Sequence, residues 1–188
     1  GKVTITRTKN TITYPANPML VCALNPCPCG YLGNNSKACS CSQQEIMRYR
    51  TRISGPLLDC IDLHIDVPSI KYKELSELAS GENSHIIASR VQRAREIQVK
   101  RYKDFPNIFS NAQVPAHILK KICIISDACH KLLEKAFDKL GMSARAADRI
   151  IKVSRTIADL SGEPDIQVSH LSEAIQYRSL DRNYQHHE

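Results

Sequence analysis

Four of the eight cysteines fall within fifteen residues, at Cys27, Cys29, Cys39 and Cys41. Four thiolates suit tetrahedral zinc, and glycines in the same stretch permit tight turns that direct backbone N–H groups at sulfur. A site with four Cys ligands leaves no open coordination position, so we expect it to be structural rather than catalytic. The single residue between the members of each pair is tighter spacing than usual, and a loop of free or buried thiols without metal is the alternative.

Arg145 is the second residue whose position indicates chemistry, because it follows Ser143, a predicted helix N-cap. The N-terminal end of a helix carries positive potential, so a cation there is unfavourable unless an anion is close. A phosphate group would satisfy both the helix end and the guanidinium. A solvated surface arginine is the alternative, and we expect Arg149, Lys152 and Arg155 to form the polar face of the same helix.

Arg7 and Lys9 stand at the tip of a predicted hairpin and are candidates for contact with a nucleic-acid backbone. An exposed turn that only aids solubility is the alternative. The net charge of +7 over 188 residues is compatible with nucleic acid or nucleotide phosphates as partners.

The composition is that of a folded protein with one sizeable or two small domains, with 42% hydrophobic residues. No apolar stretch approaches the roughly eighteen residues of a membrane span. Without a secretory leader, we expect a cytoplasmic protein with no membrane partner, in which reduced thiols are favoured over disulfides.

The predicted secondary structure that positions these residues changes near residue 70, from strands and loops to helices. Alternating β-branched and polar residues predict a hairpin over 3–14, and a continuous apolar run predicts a buried central strand over 19–24. Residues 25–42 form a predicted loop, 43–52 a short basic helix and 63–67 a third strand. Cys22, Cys123 and Cys129 lie in apolar stretches of the sequence, so we expect them to be core residues.

Helical periodicity then dominates. Asn83 or Ser84 is the predicted cap of a helix that ends before Pro106. Further helices are predicted over 115–125, 126–140 and 143–160, and a last one from a Ser169 cap through 177. The predicted fold class is therefore α/β plus all-α, with a mixed part over 1–70 and a helical domain over 71–188.

Four segments carry a family resemblance: LVCALNPCPCGYLG, CSCSQQEIMRYRTRISGPLLDCIDLHIDVP, LGMSARAADRIIKVSRTIADLSG and HLSEAIQYRSLDR. Together they resemble the C-terminal part of magnesium-chelatase-like AAA+ ATPases, the bacterial ComM-like group in particular. The resemblance implies that residues 1–70 are the end of an AAA+ α/β core and that the rest is the helical lid. It also implies that Asn25 is the sensor-1 residue near the γ-phosphate and that Arg145 is the sensor-2 residue on the ATP phosphates.

The same resemblance matches the hairpin to the pre-sensor-1 insertion of related helicases, which makes Arg7 and Lys9 implied DNA contacts. It implies a ring, typically a hexamer, that uses ATP and Mg²⁺ and acts on DNA in transformation or recombination. The sequence itself holds no G-x4-G-K-[ST] loop and no strand ending in paired acids, so this portion alone should not hydrolyse ATP.

One position departs from the family pattern LLDRIDLH, whose arginine resembles a finger directed at the neighbouring subunit's ATP. Cys60 stands there instead, and a thiol supplies no fixed positive charge. Either an arginine such as Arg52 substitutes, or hydrolysis is weak. Two other functions remain open: a chelatase motor subunit for metal insertion into a tetrapyrrole, against which the four-Cys loop argues, and a non-catalytic, zinc-stabilised interaction module.

Overall fold

The computed structural model describes residues 1–8, 10–34, 36–70 and 81–178. The chain forms two compact units that divide between Arg50 and Thr51. The described part is mostly helical and contains one two-stranded sheet. The helical part of the predicted architecture is thus confirmed, whereas the division of roles at residue 70 stays a prediction.

The predicted hairpin is confirmed. Strand β1 (Lys2–Arg7) pairs antiparallel with β2 (Asn10–Pro15), so that Arg7 lies opposite Asn10. Side chains alternate between the two faces of a strand, and one face of this hairpin carries two threonine pairs beside Lys2 and Pro15. On that face, the hydroxyl oxygens of Thr4 and Thr13 are 3.0 Å apart.

Two predicted strands are wrong for the described residues. Residues 19–24 form no strand and are exposed, with Met19 at 90% and Val21 at 81% of full exposure; residues 63–67 also form no strand. A central strand requires hydrogen-bonded neighbours, and the described strands β1 and β2 pair only with each other. For the same reason Cys22 is exposed rather than in a core.

Helix α1 (Gln43–Arg50) follows the cysteine-rich loop. Its start is a reciprocal cap. The Glu45 carboxylate accepts hydrogen bonds from the backbone N–H and the hydroxyl of Ser42, at 2.8 and 2.9 Å, and the Glu45 N–H donates back to the Ser42 hydroxyl at 3.3 Å.

In the second unit, the described residues form a short helix, α2 (Gly55–Leu58), and five longer ones with a 3₁₀ turn at Asn111–Gln113. The longer helices are α3 (Ser84–Arg101), α4 (Ala116–Ile122), α5 (Asp127–Leu140), α6 (Ala144–Ser161) and α7 (Val168–Gln176). The sequence predicted each of these five helices, and the predicted bounds differ by only a few residues.

Local capping explains why these bounds were predictable. The side chains of Asn83, Ser126 and Ser143 each accept a backbone hydrogen bond from the first turn of α3, α5 and α6. Gly141, in the left-handed conformation at φ 52°, ends α5. The start of α7 is a correction, because Gln167 rather than Ser169 is the N-cap.

The hydrophobic core lies between α6, α7 and the helices around them. Its fully buried members include Leu119, Cys129, Ala146, Ile150 and Leu171. Cys123 and Cys129 are buried, as predicted. Most of α3 lies outside this core, and its buried residues are Ala94 and Gln98.

A polar network also crosses the core and joins α3, the 3₁₀ turn and α6. Asp159 is at its centre with a side chain that is 0% exposed, and it binds both Arg101 and Arg155. Asn111 donates to Asp159 at 2.8 Å and accepts a 2.6 Å hydrogen bond from the Tyr102 hydroxyl. Because buried charges are stable only when paired, this network fixes how the three elements meet.

Candidate functional site

The four cysteines of the predicted metal site come together in space. Their sulfur atoms all lie within 4.8 Å of one another. The Cys27–Cys29, Cys27–Cys39 and Cys29–Cys39 Sγ distances are 3.4, 3.6 and 3.5 Å. A disulfide requires about 2.05 Å, whereas Zn–S bonds of about 2.3 Å place the sulfurs of a tetrahedral site roughly 3.8 Å apart. The arrangement is therefore a good match to a tetrahedral Cys₄ metal site.

Tight turns bring the first pair of cysteines to this position. The Gly30 N–H donates to the Cys27 carbonyl at 3.0 Å, and Gly30 and Gly33 have φ values of 81° and 79°. These values lie in the left-handed region that glycine adopts without strain. Cys27 is fully buried.

The thiols differ in how readily they ionise. Hydrogen bonds from the backbone of Tyr31 and Ser40 lower the pKa of Cys29 to about 5, whereas burial raises the pKa of Cys41 to about 12. The repulsion between neighbouring thiolates means that they cannot all ionise together without a cation. A divalent metal supplies that cation, and it binds cysteine as thiolate.

Asn25, the predicted sensor-1 residue, is exposed and lies beside the cysteine loop. A Cβ atom added at Gly30 would be 3.8 Å from the Asn25 Cγ and 3.9 Å from its Nδ2. The structure thus brings Asn25 close to the first cysteine turn. The strand predicted before it is not formed, so the sensor role stays a prediction.

Arg145, the predicted sensor-2 residue, lies in the first turn of α6, directly after the Ser143 cap and the first helical residue. Its side chain is exposed. The Ser143 hydroxyl accepts the Ala146 N–H at 3.2 Å, and nothing else among the described residues neutralises the helix end or pairs with this guanidinium. The exposed cation and the positive end of α6 therefore point to the same anion.

Arg145 is one of the residues that line an open groove of about 500 Å³ within the second unit. The other two cations of α6 in this groove are already used. Arg149 pairs with Asp62, and the Lys152 amine donates to the Ala112 carbonyl at 3.1 Å. Burial lowers the pKa of Lys152. Of these three cations, Arg145 is the one with no pairing among the described residues.

Cys60, at the predicted arginine-finger position, is exposed on a segment held against the end of α7. The Arg178 side chain is 1% exposed, donates to the Ile61 carbonyl at 2.5 Å and pairs with Asp59 at 3.5 Å. The His64 N–H also donates to the Tyr177 carbonyl, at 2.7 Å. These bonds fix the backbone on both sides of Cys60.

The structure describes one of the two predicted nucleic-acid contacts. Arg7 is exposed at the end of β1, whereas Lys9 lies outside the described residues. Arg7, Asn25 and the four cysteines belong to the first unit, and Cys60 and Arg145 belong to the second.

Sequence reasoning missed the role of Arg155. It was predicted on the polar face of its helix, but it is 4% exposed and donates to Asp159 and to the carbonyls of Glu163 and Pro164. The sequence spacing could have indicated this ion pair, because Asp159 lies one helical turn after Arg155. The buried Ala158 lies between them in the sequence.

Among the described residues, no helix combines the length and apolar character needed to cross a bilayer.

Comparison with known proteins matches nearly the whole chain. Residues 81–178 match the family model described as magnesium chelatase, subunit ChlI C-terminal, and residues 1–75 match magnesium chelatase, subunit ChlI. The chain is 42% identical over 184 residues to Competence protein ComM of Haemophilus influenzae. It is 39% identical to the uncharacterized protein YifB of Salmonella typhimurium and 32% identical to the uncharacterized protein Rv2897c of Mycobacterium tuberculosis.

These alignments cover 97%, 97% and 95% of this chain, respectively, and 35% of each relative. The chain therefore spans about a third of the length of the curated relatives it matches.

Proposed function

Because the chain belongs to the magnesium chelatase subunit ChlI family, we propose that it is the C-terminal portion of an ATP-driven ring motor that acts on DNA. In this proposal the chain contributes nucleotide sensing and a helical lid, and the assembled protein is a hexameric ring in the cytoplasm. Residues 1–70 would form the end of the AAA+ core and residues 71–188 the lid.

The single observation that carries the proposal is Arg145. It combines an exposed guanidinium, a helix N-terminus and an adjacent groove of about 500 Å³. Phosphate is the anion that suits both the planar guanidinium and the helix end. Arg145 would bind the phosphates of ATP carrying Mg²⁺, which supply the bond that is hydrolysed, and Asn25 would orient the attacking water.

The four cysteines would hold one zinc ion with a structural role. Their sulfur spacing supports this, and so does the lowered pKa of Cys29. The first of the four cysteines, Cys27, lies two residues after Asn25. Zinc would therefore hold the loop in a fixed shape beside the residue that senses the nucleotide.

Cys60 leaves two alternatives for hydrolysis. Loss of an arginine finger lowers turnover by about a thousandfold or more, so hydrolysis would be slow if no other residue takes this role. Alternatively, Arg52 substitutes for the missing finger, since it is exposed and has no ion pair among the described residues.

The test is ATP turnover by the whole protein with and without DNA, for wild type and for Arg145→Ala. Arg93→Ala is the matched control, since Arg93 is an exposed arginine on α3, away from the groove. We expect DNA to stimulate turnover and Arg145→Ala to reduce it while the control has no effect. Equal turnover in wild type and Arg145→Ala would refute the sensor role.

The same assay separates the two other functions. Turnover that is indifferent to DNA would favour a chelatase motor subunit, in line with the family description. Complete absence of turnover would favour a zinc-stabilised interaction module, which is consistent with Cys60 in place of the arginine.

A further inference from the structure

The groove beside Arg145 contains an ion pair between two distant parts of the second unit. Arg149 on α6 pairs with Asp62, and both residues line the groove together with Arg145. Asp62 belongs to the segment 59–64, which carries Cys60. The two paired residues are 87 positions apart in the sequence, so the pair is a tertiary contact that joins this segment to α6.

Arg149 lies where it can reach the same anion as Arg145. The two arginines are four residues apart on α6, which is one helical turn, or about 6 Å along the helix axis. Residues at this spacing share a face of a helix, and both side chains line the groove. A guanidinium has five donors and keeps its charge. One polyphosphate can therefore accept hydrogen bonds from both arginines.

The ion pair that holds Arg149 is weak enough to exchange. The Arg149 side chain is 30% exposed and the Asp62 side chain is 52% exposed. An exposed ion pair contributes little, because water and salt screen it. A polyphosphate carries more negative charge than one carboxylate and accepts two parallel hydrogen bonds from a guanidinium. It therefore competes with Asp62 for Arg149.

The third cation of the groove is less suited to this exchange. Lys152 lies seven residues after Arg145, which is about 10 Å along the helix axis. Its amine donates to the Ala112 carbonyl at 3.1 Å, and burial lowers its pKa. Arg149 is thus the second cation that the structure places closest along α6 to the anion at Arg145.

The groove has no surplus of positive charge. Three cations and three carboxylates line it, and these are Arg145, Arg149, Lys152, Asp62, Asp148 and Glu173. Their formal charges cancel, so the groove attracts a polyanion only through cations that can leave a carboxylate or that pair with none. Arg149 is of the first kind and Arg145 of the second among the described residues.

We propose that Arg149 is a second phosphate-binding residue, which exchanges the Asp62 carboxylate for a phosphate oxygen when a polyphosphate binds Arg145. The inference rests on the phosphate-binding role of Arg145 in the proposed function. It adds a further binding residue to that site and a response of the chain to occupancy.

The response is confined to one of the contacts of the segment 59–64. The bonds from Arg178 to the Ile61 carbonyl and from His64 to the Tyr177 carbonyl do not involve the groove's cations. The exchange therefore releases the tie to α6 and leaves the bonds at the end of α7 in place.

The experiment titrates the 188-residue chain with inorganic tripolyphosphate and measures the affinity by isothermal titration calorimetry. Asp62→Asn frees Arg149 in advance and should tighten binding about two- to fivefold, the upper value matching the strength of an exposed ion pair. Arg149→Gln should weaken binding roughly 3- to 30-fold, which is the gain from a hydrogen bond to a charged group less the loss of the ion pair. Asp66→Asn is the matched control, because it removes an exposed carboxylate outside the groove and should bind like wild type.

A double variant and a second readout make the result specific. Asp62→Asn combined with Arg149→Gln should bind like Arg149→Gln alone, because without the guanidinium the carboxylate has nothing to release. In NMR spectra of the wild type, tripolyphosphate should shift both the Arg149 Nε–H signal and the Asp62 carboxyl carbon signal. The Asp62 shift should be absent in Arg149→Gln.

The outcomes separate this inference from the proposed function. Equal affinity in wild type and Asp62→Asn, with binding that still requires Arg145, would overturn the exchange and leave the role of Arg145 intact. Tighter binding by Asp62→Asn that persists in the double variant would also overturn it, because Asp62 would then act only by repelling the anion. No binding of tripolyphosphate, or binding unchanged in Arg145→Ala, would count against both.

Discussion

Replacement of Asp159 by Asn tests whether the buried polar network holds the helical unit together. The Asp159 carboxylate accepts hydrogen bonds from both terminal nitrogens of Arg101, at 2.8 and 2.5 Å, from the Arg155 Nε at 3.1 Å and from the Asn111 amide at 2.8 Å. Asn keeps the shape of the side chain but removes its charge. It also directs an N–H₂ group at groups that are themselves donors.

The expected loss in the free energy of unfolding depends on which interactions Arg101 and Arg155 retain in the variant. Removal of one partner of a buried ion pair costs about 3–5 kcal/mol. Arg155 retains the carbonyls of Glu163 and Pro164 at 2.6 and 2.7 Å, and the Arg101 side chain is 17% exposed and reaches water. We therefore expect a loss near the lower limit, about 3 kcal/mol, from a free energy of unfolding that is typically about 5–15 kcal/mol.

The assay is urea unfolding followed by circular dichroism at constant zinc and reductant, with midpoint and slope fitted together. Asp138→Asn is the matched control, because Asp138 is exposed on α5, and a surface change of this kind stays within about 0.5 kcal/mol. A loss below about 1 kcal/mol for Asp159→Asn, with an unchanged slope, would refute the reasoning that the network is essential to the packing of α3 on α6.

Three other predictions concern the sites. The chain purified under reducing conditions should contain about one zinc, and Cys39→Ser should contain less than about 0.2 by elemental analysis; equal contents would contradict the Cys₄ site. Cys60→Arg in the whole protein should raise ATP turnover, by up to about a thousandfold if a finger is restored, and an unchanged rate would exclude that role. The hydrogen bonds from Ser42 lower the pKa of Glu45. The cap of α1 is therefore fully present above the unfolded pKa of Glu45 and is lost as pH falls through the lower folded value. Titration by NMR should show the pKa of Glu45 rise in Ser42→Ala.

The helices were predictable because their signals are local. Asn83, Ser126 and Ser143 each cap a helix through a bond to a residue two or three positions ahead, and Gly141 ends one through its own backbone conformation. The hairpin was predictable for a similar reason, since its two strands are separated by only two residues.

What could not be predicted depends on residues far apart in the chain. The apolar run over 19–24 satisfies every local criterion for a strand, but a strand forms only against a hydrogen-bonded partner, and none of the described residues pairs with it. The burial of Arg155 depends partly on Asp159, which also pairs with Arg101, 58 positions earlier in the sequence.

The candidate sites also combine features that local sequence predicted with features that depend on distant residues. The spacing of the cysteines predicted that they cluster, and the structure adds sulfur separations close to those of a tetrahedron. The position of Arg145 in the first turn of its helix was predicted from the Ser143 cap. Its groove was not, because the groove brings together segments from 62 to 177.

Residues 59–64, which include Cys60, are bonded to Tyr177 and Arg178 at the end of α7. These bonds determine where the helical region can be cut if it is to be produced separately. The matching C-terminal family region begins at residue 81, which makes that residue an obvious place to cut. A piece that starts there would lack the Ile61 carbonyl and the Asp59 carboxylate, the two partners of the buried Arg178 guanidinium. It would also lack the His64 N–H that donates to the Tyr177 carbonyl. It would also remove Asp62 from Arg149. A soluble and crystallisable version of the helical region should therefore start before α2, near the division between the two units at residue 51.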